Sequence, residues 1–471
     1  MAIEEDLSSW EIAPTKKMFS YGFGYVVINY FLYGGFALVF FFYEVVVGLH
    51  VIYLMLAMVI FAIWNMVNDP LLGFLTERPF KWTRKYGFRA PWVAITAFPI
   101  LILYFFIWIP PEGANQMTIF IWFIIFTCLF DTFFSIFNDH VYGGYTNQFP
   151  SEYERRRSFA ITTLLLGFGV TGMGIIASIL IDYEVRGSFV TLAIIVIIIM
   201  GLLSVGLLLG VKESEEMKEM FIKSFEKAEE TSFMNTMKTA LKTKNFTISL
   251  LGYTCQITAM TLVGASILYM YVYVWELDFA LYILPQLAGL ITFLALIPFW
   301  SNYARKHGFK KTYWLTFVLH GLTFIPFLFV DKSMGFPFFY MLIIIFTIIN
   351  SIFYCGEVIM LMPVASDTYD LVSSNVGRRV DATLVGVRTF FFRISFIIVA
   401  LVIGLIHIAT NFNADIVIQS DLAILGIRVH TYLISALILI MMGLIFRKHY
   451  TLEGAEKEAL VKKLKDMGIY R

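Results

Sequence analysis

Ionisable side chains inside long apolar stretches are the residues of this chain that are best placed to do chemistry. Asp69 lies in the stretch WNMVNDPLLGF, with Asn65 one helical turn earlier and Pro70 directly after it. A carboxylate, an amide and the carbonyl that a helical proline leaves free are hard oxygen ligands, which a small cation needs. Asp69 stands nine residues before Arg78, or about 13 Å of helix, which would place it near the middle of a bilayer.

Arg393 is the second charge that lies deep in an apolar stretch, fourteen residues after Arg379, or about 21 Å along a helix. A guanidinium buried without a partner is too costly, so we expect a carboxylate partner, with Asp69 the first choice. A proton or metal cation that binds Asp69 would then release Arg393. The alternative is a static salt bridge between two helices.

Four further acids in apolar stretches each have a functional and a structural interpretation. Glu357 and Asp131 either line a cavity or satisfy a local polar contact. Glu44 and Glu276 lie near the ends of their stretches, so we predict that they are interfacial.

The first apolar stretch combines aromatic and polar residues on one face, namely Tyr25, Asn29, Tyr30 and Tyr33. Sugar sites use aromatic platforms and hydrogen bonds from amides or carboxylates, because a sugar has apolar faces and a rim of hydroxyls. Aromatic residues make up 17% of this chain, so an aromatic face is expected anyway and this signal is weak.

Composition places these residues in a membrane protein. The 471 residues are 59% hydrophobic and only 15% charged, and the mean hydropathy is +0.78. A soluble domain of this length needs more charge on its surface. The sequence contains no phosphate-binding loop, HExxH or dinucleotide fingerprint, so we predict no enzyme, no cofactor and no structural metal.

Twelve apolar spans carry the charged residues described above, and a polar linker divides them into six and six. The predicted spans are 19–46, 51–76, 91–110, 117–145, 158–182, 188–211, 246–273, 279–300, 312–330, 336–364, 383–408 and 427–446. The linker, 212–245, mixes charges with apolar residues at helical spacing, which predicts amphipathic helices along the membrane surface.

Lysine and arginine are concentrated in alternate loops, which indicates the orientation of the chain. The rich loops contain Lys16, Lys17, Arg78, Lys81, Arg84, Lys85, Arg89, Arg155, Arg156, Arg157, Arg305, Lys306, Lys310, Lys311, Arg378 and Arg379. The positive-inside rule therefore predicts that both termini are cytoplasmic, in a multi-pass protein of the plasma or inner membrane.

An internal repeat supports the division into six and six. The segment RKYGFR at 84–89 recurs as RKHGFK at 305–310, each time just after the second span of its half. Two parallel halves of six spans describe the major facilitator architecture. We therefore predict an all-α membrane protein with two six-helix halves, 1–211 and 246–448, the linker 212–245 and a cytoplasmic tail, 449–471.

Motifs along nearly the whole chain resemble one transporter family. They are WNMVNDPLLG followed by ERPFKWTRKYGFRAPW, then NDHVYGGY, SEYERRR, DTYDL and GRRVDA, in this order. The sequence is similar to the glycoside–pentoside–hexuronide:cation symporter family of the major facilitator superfamily, the family of melibiose permease. This resemblance implies cation-coupled symport of a sugar or sugar derivative by alternating access.

The resemblance also implies site residues. The cation site would comprise Asn65, Asp69, Asn138 and Arg393, with amides at two of the family's three carboxylate positions. Substrate would meet Asn29, Tyr33, Asn138, Tyr142, Thr163, Glu357 and Arg393, and the gating residues of the cytoplasmic loops would be Arg84, Arg89, Arg305, Asp367 and Arg379. A single carboxylate beside an arginine favours H⁺ over Na⁺ as coupling ion, or a facilitative cycle.

Other substrates and roles stay open at this point. A eukaryotic branch of the same broad family moves lysophospholipids with sodium, so a lysophospholipid-like amphiphile is one alternative and another small organic solute is a second. A scaffold or sensor that no longer transports is a remote third. We expect a monomer that meets a small-molecule substrate and membrane lipids but no nucleic acid.

Overall fold

The computed structural model describes residues 13–76, 80–149, 152–215, 217–219, 222, 233–377, 380–416 and 418–466. All regular structure in these residues is helical. Ten of the described helices are long and apolar enough to cross a membrane. The fold is therefore that of an all-α, multi-pass membrane protein, as the sequence predicts.

The helices up to the linker are α1 (Thr15–Asn29), α2 (Val51–Thr76), α3 (Ala90–Ile107), α4 (Gln116–Gln148), α5 (Glu152–Leu180) and α6 (Arg186–Val211). A short helix, Thr83–Tyr86, lies in the loop before α3.

The helices from the linker onward are α7 (Phe233–Lys242), α8 (Lys244–Tyr269), α9 (Ile283–His307), α10 (Phe309–Phe324), α11 (Phe338–Val376), α12 (Asp381–Ala409), α13 (Asp421–Arg428), α14 (Ile434–His449) and α15 (Ala455–Asp466). Single π-helical turns, Met270–Val274 and Val429–Leu433, follow α8 and join α13 to α14. The 3₁₀ turns are Phe279–Tyr282, Ile325–Phe329 and Lys332–Met334.

Two of the twelve predicted spans are helical but not continuous apolar helices. After α1, the first span continues through π-helical turns at Tyr30–Gly34 and Phe42–Val46, on either side of the short helix Val39–Phe41. The fifth span, α5, begins with the charged segment EYERRR, so that only its part Leu164–Leu180 is an apolar helix.

The chain divides into two compact units. Unit 1 comprises Met1–Phe36 and Trp64–Glu229, and unit 2 comprises Ala37–Ile63 and Glu230–Arg471. The end of the first span and the first half of α2, which we call the crossing segment (Ala37–Ile63), therefore pack with the later helices. The two halves predicted from the repeat, 1–211 and 246–448, stay a prediction. The two units are defined by packing and have different bounds.

The same helix pairs recur inside each unit, as two copies of one fold require. In unit 1, α1 packs on α5 and α6, and α3 packs on α4 and α6. In unit 2, α8 packs on α12 and α14, and α10 packs on α11 and α14. These are equivalent positions in the order of spans, so the packing agrees with the repeat seen in the sequence.

The repeated loop motif has the same backbone conformation in both copies. Gly87 has φ 97° and Gly308 has φ 83°, a region that favours glycine because it has no Cβ. After the last span of each copy an acid binds the motif. Glu213 Oε2 accepts hydrogen bonds from the Phe88 and Arg89 amides at 2.5 and 3.0 Å, and Glu453 pairs with Lys310 at 2.9 Å.

Both predicted polar segments include a helix that packs on protein. In the linker, α7 buries Ala240 in a cluster with Phe246 of α8 and Leu384 of α12. In the tail, α15 buries Leu464, and Lys457 Nζ bonds Asp367 Oδ2 of α11 at 2.5 Å. The linker was expected along the membrane surface, but the apolar side of α7 is covered by helices of unit 2. Most of the linker before α7 lies outside the described residues.

Candidate functional site

A polar seam joins α2 to α4 in unit 1. Ser135 Oγ donates to Asp69 Oδ1 at 2.5 Å, Asn68 Nδ2 donates to Asp131 Oδ2 at 3.3 Å, and Trp64 Nε1 donates to the Thr132 hydroxyl at 3.3 Å. Asp131 and Ser135 are four residues apart and so share one face of α4. The two helices therefore present two carboxylates to each other across a line of hydroxyls and amides.

The predicted cation-site residues of unit 1 lie in or beside this seam. Asn65 is fully buried on α2, one turn before Asp69. Asn138 Nδ2 donates to Asp139 Oδ1 at 3.3 Å, and a Cβ placed on Gly73 of α2 would lie 3.6 Å from the other oxygen of Asp139. The polar residues thus continue along α4 beyond Ser135 and still face α2.

The sequence left the role of Asp131 open and did not single out Ser135. From the sequence, Asp131 could either line a cavity or satisfy a local polar contact. In the structure its side chain is 1% exposed and lies against Asn68. Ser135 was not identified from the sequence as a candidate. Its spacing from Asp131 within a span that already holds an acid is the signal that could have found it.

The aromatic face predicted for the first span forms around one amide. Asn29 Nδ2 donates to the Tyr142 hydroxyl at 3.2 Å and to the Tyr25 carbonyl at 2.8 Å. The Tyr25 and Tyr142 rings meet edge to face at 4.7 Å between centroids. The structure therefore brings together Asn29 and Tyr142, two predicted substrate residues. The side chains of two others, Tyr33 and Thr163, lie outside the described residues.

The predicted gating residues differ in how far their side chains are buried. Arg89 is 8% exposed and lies against Gly143 and Gly144 of α4, where a Cβ would touch its side chain. Arg84 and Arg305 are exposed, and Arg305 bonds Asn302 on its own helix. Asp367 is held by Lys457 of α15, as described above, and Arg379 lies outside the described residues.

Arg393 is buried in unit 2, 6% exposed, on α12. Its guanidinium lies 5.7 Å from the ring centroid of Phe392. Asp69 belongs to unit 1 and Arg393 to unit 2. Their pairing therefore stays a prediction.

Arg388, five residues before Arg393 on α12, lines a small cleft in unit 2. Its guanidinium stacks on the Tyr253 ring at 3.8 Å. The cleft also meets Phe246, Tyr313 and Tyr369.

Glu357 is enclosed within unit 2 and bonded to a histidine. His320 Nδ1 and Glu357 Oε2 are 2.5 Å apart, and both side chains are fully buried. Glu357 Oε1 and His320 Nε2 are buried without a hydrogen-bond partner. The predicted substrate residue Glu357 thus forms a buried acid–imidazole pair between α10 and α11.

A second acid–imidazole group, which we call the histidine cluster, consists of Glu44, His407 and His430 of unit 2. His407 Nδ1 lies 2.8 and 3.0 Å from the two Glu44 oxygens, and its Nε2 lies 3.2 Å from His430 Nε2. Glu44 was predicted to be interfacial, but it is only 5% exposed. This burial was not expected, and it arises because the crossing segment packs on helices of unit 2; the depth of Glu44 in the membrane stays a prediction.

Sequence reasoning missed three buried histidines, His320, His407 and His430. Each lies inside an apolar stretch, as in FVLHGLTF, GLIHIA and VHTYLISA. An ionisable residue within a span is a functional candidate by default. That rule, applied to histidine as well as to carboxylates and arginine, would have singled them out without naming their partners.

A family model described as MFS/sugar transport protein matches residues 20–453 of the chain. Among curated proteins, sodium-dependent lysophosphatidylcholine symporter 1-A of Danio rerio is 37% identical over 98 residues, 21% of this chain and 17% of that protein. Sodium-dependent lysophosphatidylcholine symporter 1 of Mus musculus is 33% identical over 111 residues, 22% of this chain and 20% of that protein. These matches span no more than about a fifth of either relative.

Solved structures of transporters share the fold across both chains. The nucleoside transporter NupG has a TM-score of 0.55 at 15% identity and covers 93% of this chain and 98% of its own. A D-xylose-proton symporter has a TM-score of 0.57 at 12% identity and covers 93% and 96%. At such low identity the likeness concerns the fold alone.

Proposed function

The chain belongs to the MFS/sugar transport protein family and is a multi-pass membrane transporter, and we propose that it is a cation-coupled symporter of a sugar or sugar derivative. It would work by alternating access, with substrate bound near the middle of the membrane. The family description and the resemblance to the glycoside–pentoside–hexuronide:cation symporters support the substrate class. The single observation that carries the coupling is the polar seam between α2 and α4.

The seam supports Na⁺ as the coupling ion more strongly than the sequence alone did. A hard monovalent cation is held by oxygen ligands, and the seam adds the Asp131 carboxylate and the Ser135 hydroxyl to Asp69. Two acids near one cation supply the charge that a single acid lacks. H⁺ is the alternative, because Asp69 by itself is able to carry a proton.

Asn29, Tyr25 and Tyr142 support a polar, ring-shaped substrate. The edge-to-face pair of tyrosines offers ring surface to an apolar face, and the amide of Asn29 offers a donor and an acceptor to hydroxyls. Tyr142 is 39% exposed, so its ring surface is open to a ligand.

A second candidate substrate is a lysophospholipid-like amphiphile. It rests on one observation, the 37% and 33% identity to sodium-dependent lysophosphatidylcholine symporters over a short part of the chain. Both candidates share sodium coupling at the seam and differ only in cargo.

Purified protein in proteoliposomes tests the proposal directly. Uptake of radiolabelled sugars, sugar acids and lysophosphatidylcholine is measured with an inward Na⁺ gradient, with an inward proton gradient and with neither. We expect a sugar-class substrate to accumulate with the Na⁺ gradient. Accumulation of lysophosphatidylcholine instead would select the second candidate, and accumulation with the proton gradient alone would exclude Na⁺ as the driving ion. Equal uptake under all three conditions would contradict coupling.

A further inference from the structure

Arg388 is the one charged side chain among the described residues that line the small cleft of unit 2. It lies within the span Leu384–Ala409, seven residues after Asp381, where α12 begins, or about 10 Å along the helix. A guanidinium inside an apolar span is costly unless an opposite charge or good hydrogen-bond acceptors meet it. The groups around Arg388 therefore decide whether a ligand is needed.

No carboxylate of the described residues lies within salt-bridge distance of Arg388. By contrast, Arg428 of α13 pairs with Asp331. Glu357 of α11 is fully buried and is bonded to His320, as described above. The structure thus pairs these acids of unit 2 with other side chains and leaves Arg388 without an opposite charge among the described residues.

Neutral groups surround the guanidinium of Arg388 instead. Its central carbon lies 3.8 Å from the centroid of the Tyr253 ring, and one of its nitrogens lies 3.6 Å from the Met362 sulfur. A thioether is a weak acceptor. The titratable groups near the guanidinium are the phenols of Tyr253, Tyr369 and Tyr313, which are uncharged at neutral pH. The cleft therefore contains a positive charge that these neighbours do not balance.

The contact with Tyr253 leaves the guanidinium able to bind a ligand at its edge. The N–H donors of a guanidinium lie in its plane and form a fork that matches the two oxygens of a carboxylate or phosphate. The side chain of Arg388 is partly exposed, so this edge is accessible. Ser249, one turn before Tyr253 on α8, lines the same cleft and offers a hydroxyl donor.

The size and charge of the cleft favour an anionic group over a neutral sugar. The cleft is small, so a substrate would insert one group of a few atoms rather than a whole ring. A hydroxyl of a neutral sugar brings no charge to the guanidinium, whereas an oxyanion brings both a negative charge and two acceptor oxygens. The group that fits Arg388 is therefore an oxyanion.

We propose that Arg388, stacked on Tyr253, binds an oxyanion group of the transported substrate. For a sugar-class substrate this group is the carboxylate of a sugar acid, and for a lysophospholipid-like amphiphile it is the phosphate. The proposal rests on the proposed function, since it narrows the substrate class of that transporter to anionic molecules. The site lies in unit 2 and is additional to the aromatic face around Asn29.

Equilibrium binding to the full-length protein tests the site. The protein is purified in a polyoxyethylene detergent, which carries neither sugar nor phosphate, and titrated by calorimetry at about pH 7, where a uronate is ionised. Glucuronate is compared with glucuronamide, which keeps the ring but has no charge. Lysophosphatidylcholine is compared with monoacylglycerol, which keeps the acyl chain but has no phosphate, and inorganic phosphate is titrated by itself.

We expect one of the two anionic probes to bind at least about tenfold more tightly than its neutral match. A preference for glucuronate would identify the oxyanion as the carboxylate of a sugar acid, and a preference for lysophosphatidylcholine would identify it as a lipid phosphate. Binding of inorganic phosphate alone would make a free anion the occupant and overturn the substrate role. No preference in either pair would contradict the site.

Variants separate recognition of the charge from plain packing. Arg388→Gln should abolish the preference for the anionic probe, and Arg388→Lys should keep part of it, because a lysine retains the charge without the fork. The control is Arg447→Gln. Arg447 also stacks on an aromatic ring, Trp314 at 4.7 Å, but does not line the cleft, so the preference should persist. Equal weakening of anionic and neutral probes in Arg388→Gln would assign Arg388 a structural role only and overturn the proposal.

A further variant covers the case in which Arg388→Gln does not fold. Tyr253→Leu removes the ring that holds the guanidinium and should reduce the preference, and an unchanged preference would refute the role of the stacking. Binding and transport also give separate results. Uptake of a neutral sugar without oxyanion binding would overturn this site and keep the proposed function, whereas Arg388-dependent binding without uptake would do the reverse.

Discussion

The two units satisfy the carboxylates within their apolar spans in different ways. In unit 1, Asp69 and Asp131 meet hydroxyl and amide groups along the seam. In unit 2, Glu44 and Glu357 each meet a histidine, at 2.8 and 2.5 Å. Hydroxyls and amides offer further oxygens to a shared cation, whereas an imidazole brings its own exchangeable proton.

The net charge of an apolar span therefore does not indicate which ion, a metal cation or a proton, its acid would bind. Both kinds of site begin from one acid in a run of apolar residues. The partner on the facing helix, a hydroxyl or amide in unit 1 and an imidazole in unit 2, distinguishes the two kinds of site.

Asp69→Asn should have the largest effect. It removes a carboxylate from the seam, so we expect cation-dependent accumulation in proteoliposomes to be abolished while the protein stays folded. Asp415→Asn, an exposed loop aspartate, is the matched control and should transport normally. Undiminished accumulation in Asp69→Asn would show that the seam does not couple the cation.

His320→Leu should destabilise unit 2 strongly without acting through a cation. The change leaves Glu357 buried without its partner, which typically costs about 3–5 kcal/mol. The double variant with Glu357→Leu should be milder, because two apolar side chains replace the pair. Thermal unfolding of both variants measures this, and a double variant no more stable than His320→Leu would refute the pairing as the source of the loss.

Ser135→Ala should weaken the seam less than the loss of Asp69. A hydrogen bond to a charged group is typically worth about 1.5–3 kcal/mol, so the apparent affinity for the cation should fall about tenfold or more. On the same helix, the Thr127 hydroxyl bonds the Phe123 carbonyl one turn earlier at 2.6 Å. Thr127→Val is therefore the control, and a loss of cation affinity as large as that of Ser135→Ala would contradict the assignment.

Gly87→Ala and Gly308→Ala compare the repeated loop motif of the two units. Both put a Cβ on a residue with positive φ and extended ψ, a region essentially restricted to glycine, which costs about 1–3 kcal/mol. The Cβ at Gly87 would also collide with Glu213, whereas the one at Gly308 meets nothing within 4 Å. Unfolding midpoints should therefore fall further for Gly87→Ala, and the reverse order would mean that Glu213 moves aside freely.

Asp331→Asn should have the smallest effect, and that effect should depend on pH. Burial alone would raise the pKa of Asp331, but hydrogen bonds from Ser333 and the charge of Arg428 outweigh it and lower the pKa. A lowered pKa stabilises the fold above the unfolded value and is lost as pH falls through the folded one. The side chain is 32% exposed, so we expect under about 1 kcal/mol, seen as a shallower loss of thermal stability in acid for the variant.

The sequence predicted parts of the candidate site and missed others for definite reasons. Asp69 and Asn65 were found because they lie one helical turn apart on one helix, and such spacing is visible in a single stretch. Ser135, His407 and His430 were not, because their importance depends on a partner in another span. The burial of Glu44 was not predicted, because its position near a span end says nothing about which helix covers it.

The sequence by itself determined the all-helical membrane fold, its spans and its internal repeat. In lipid each spanning helix must satisfy its own backbone hydrogen bonds, so length and hydropathy of one segment are enough to define it. The repeated glycine at 87 and 308 is likewise local, since a positive φ concerns one residue.

Only the tertiary structure decided which carboxylate meets which partner. Glu44 and His407 are 363 residues apart, and no periodicity within a span relates them. Their contact depends on how the crossing segment packs against the helices of unit 2, which is the sum of many weak side-chain contacts. That packing, rather than any motif, assigns hydroxyl and amide donors to the acids of unit 1 and imidazoles to those of unit 2.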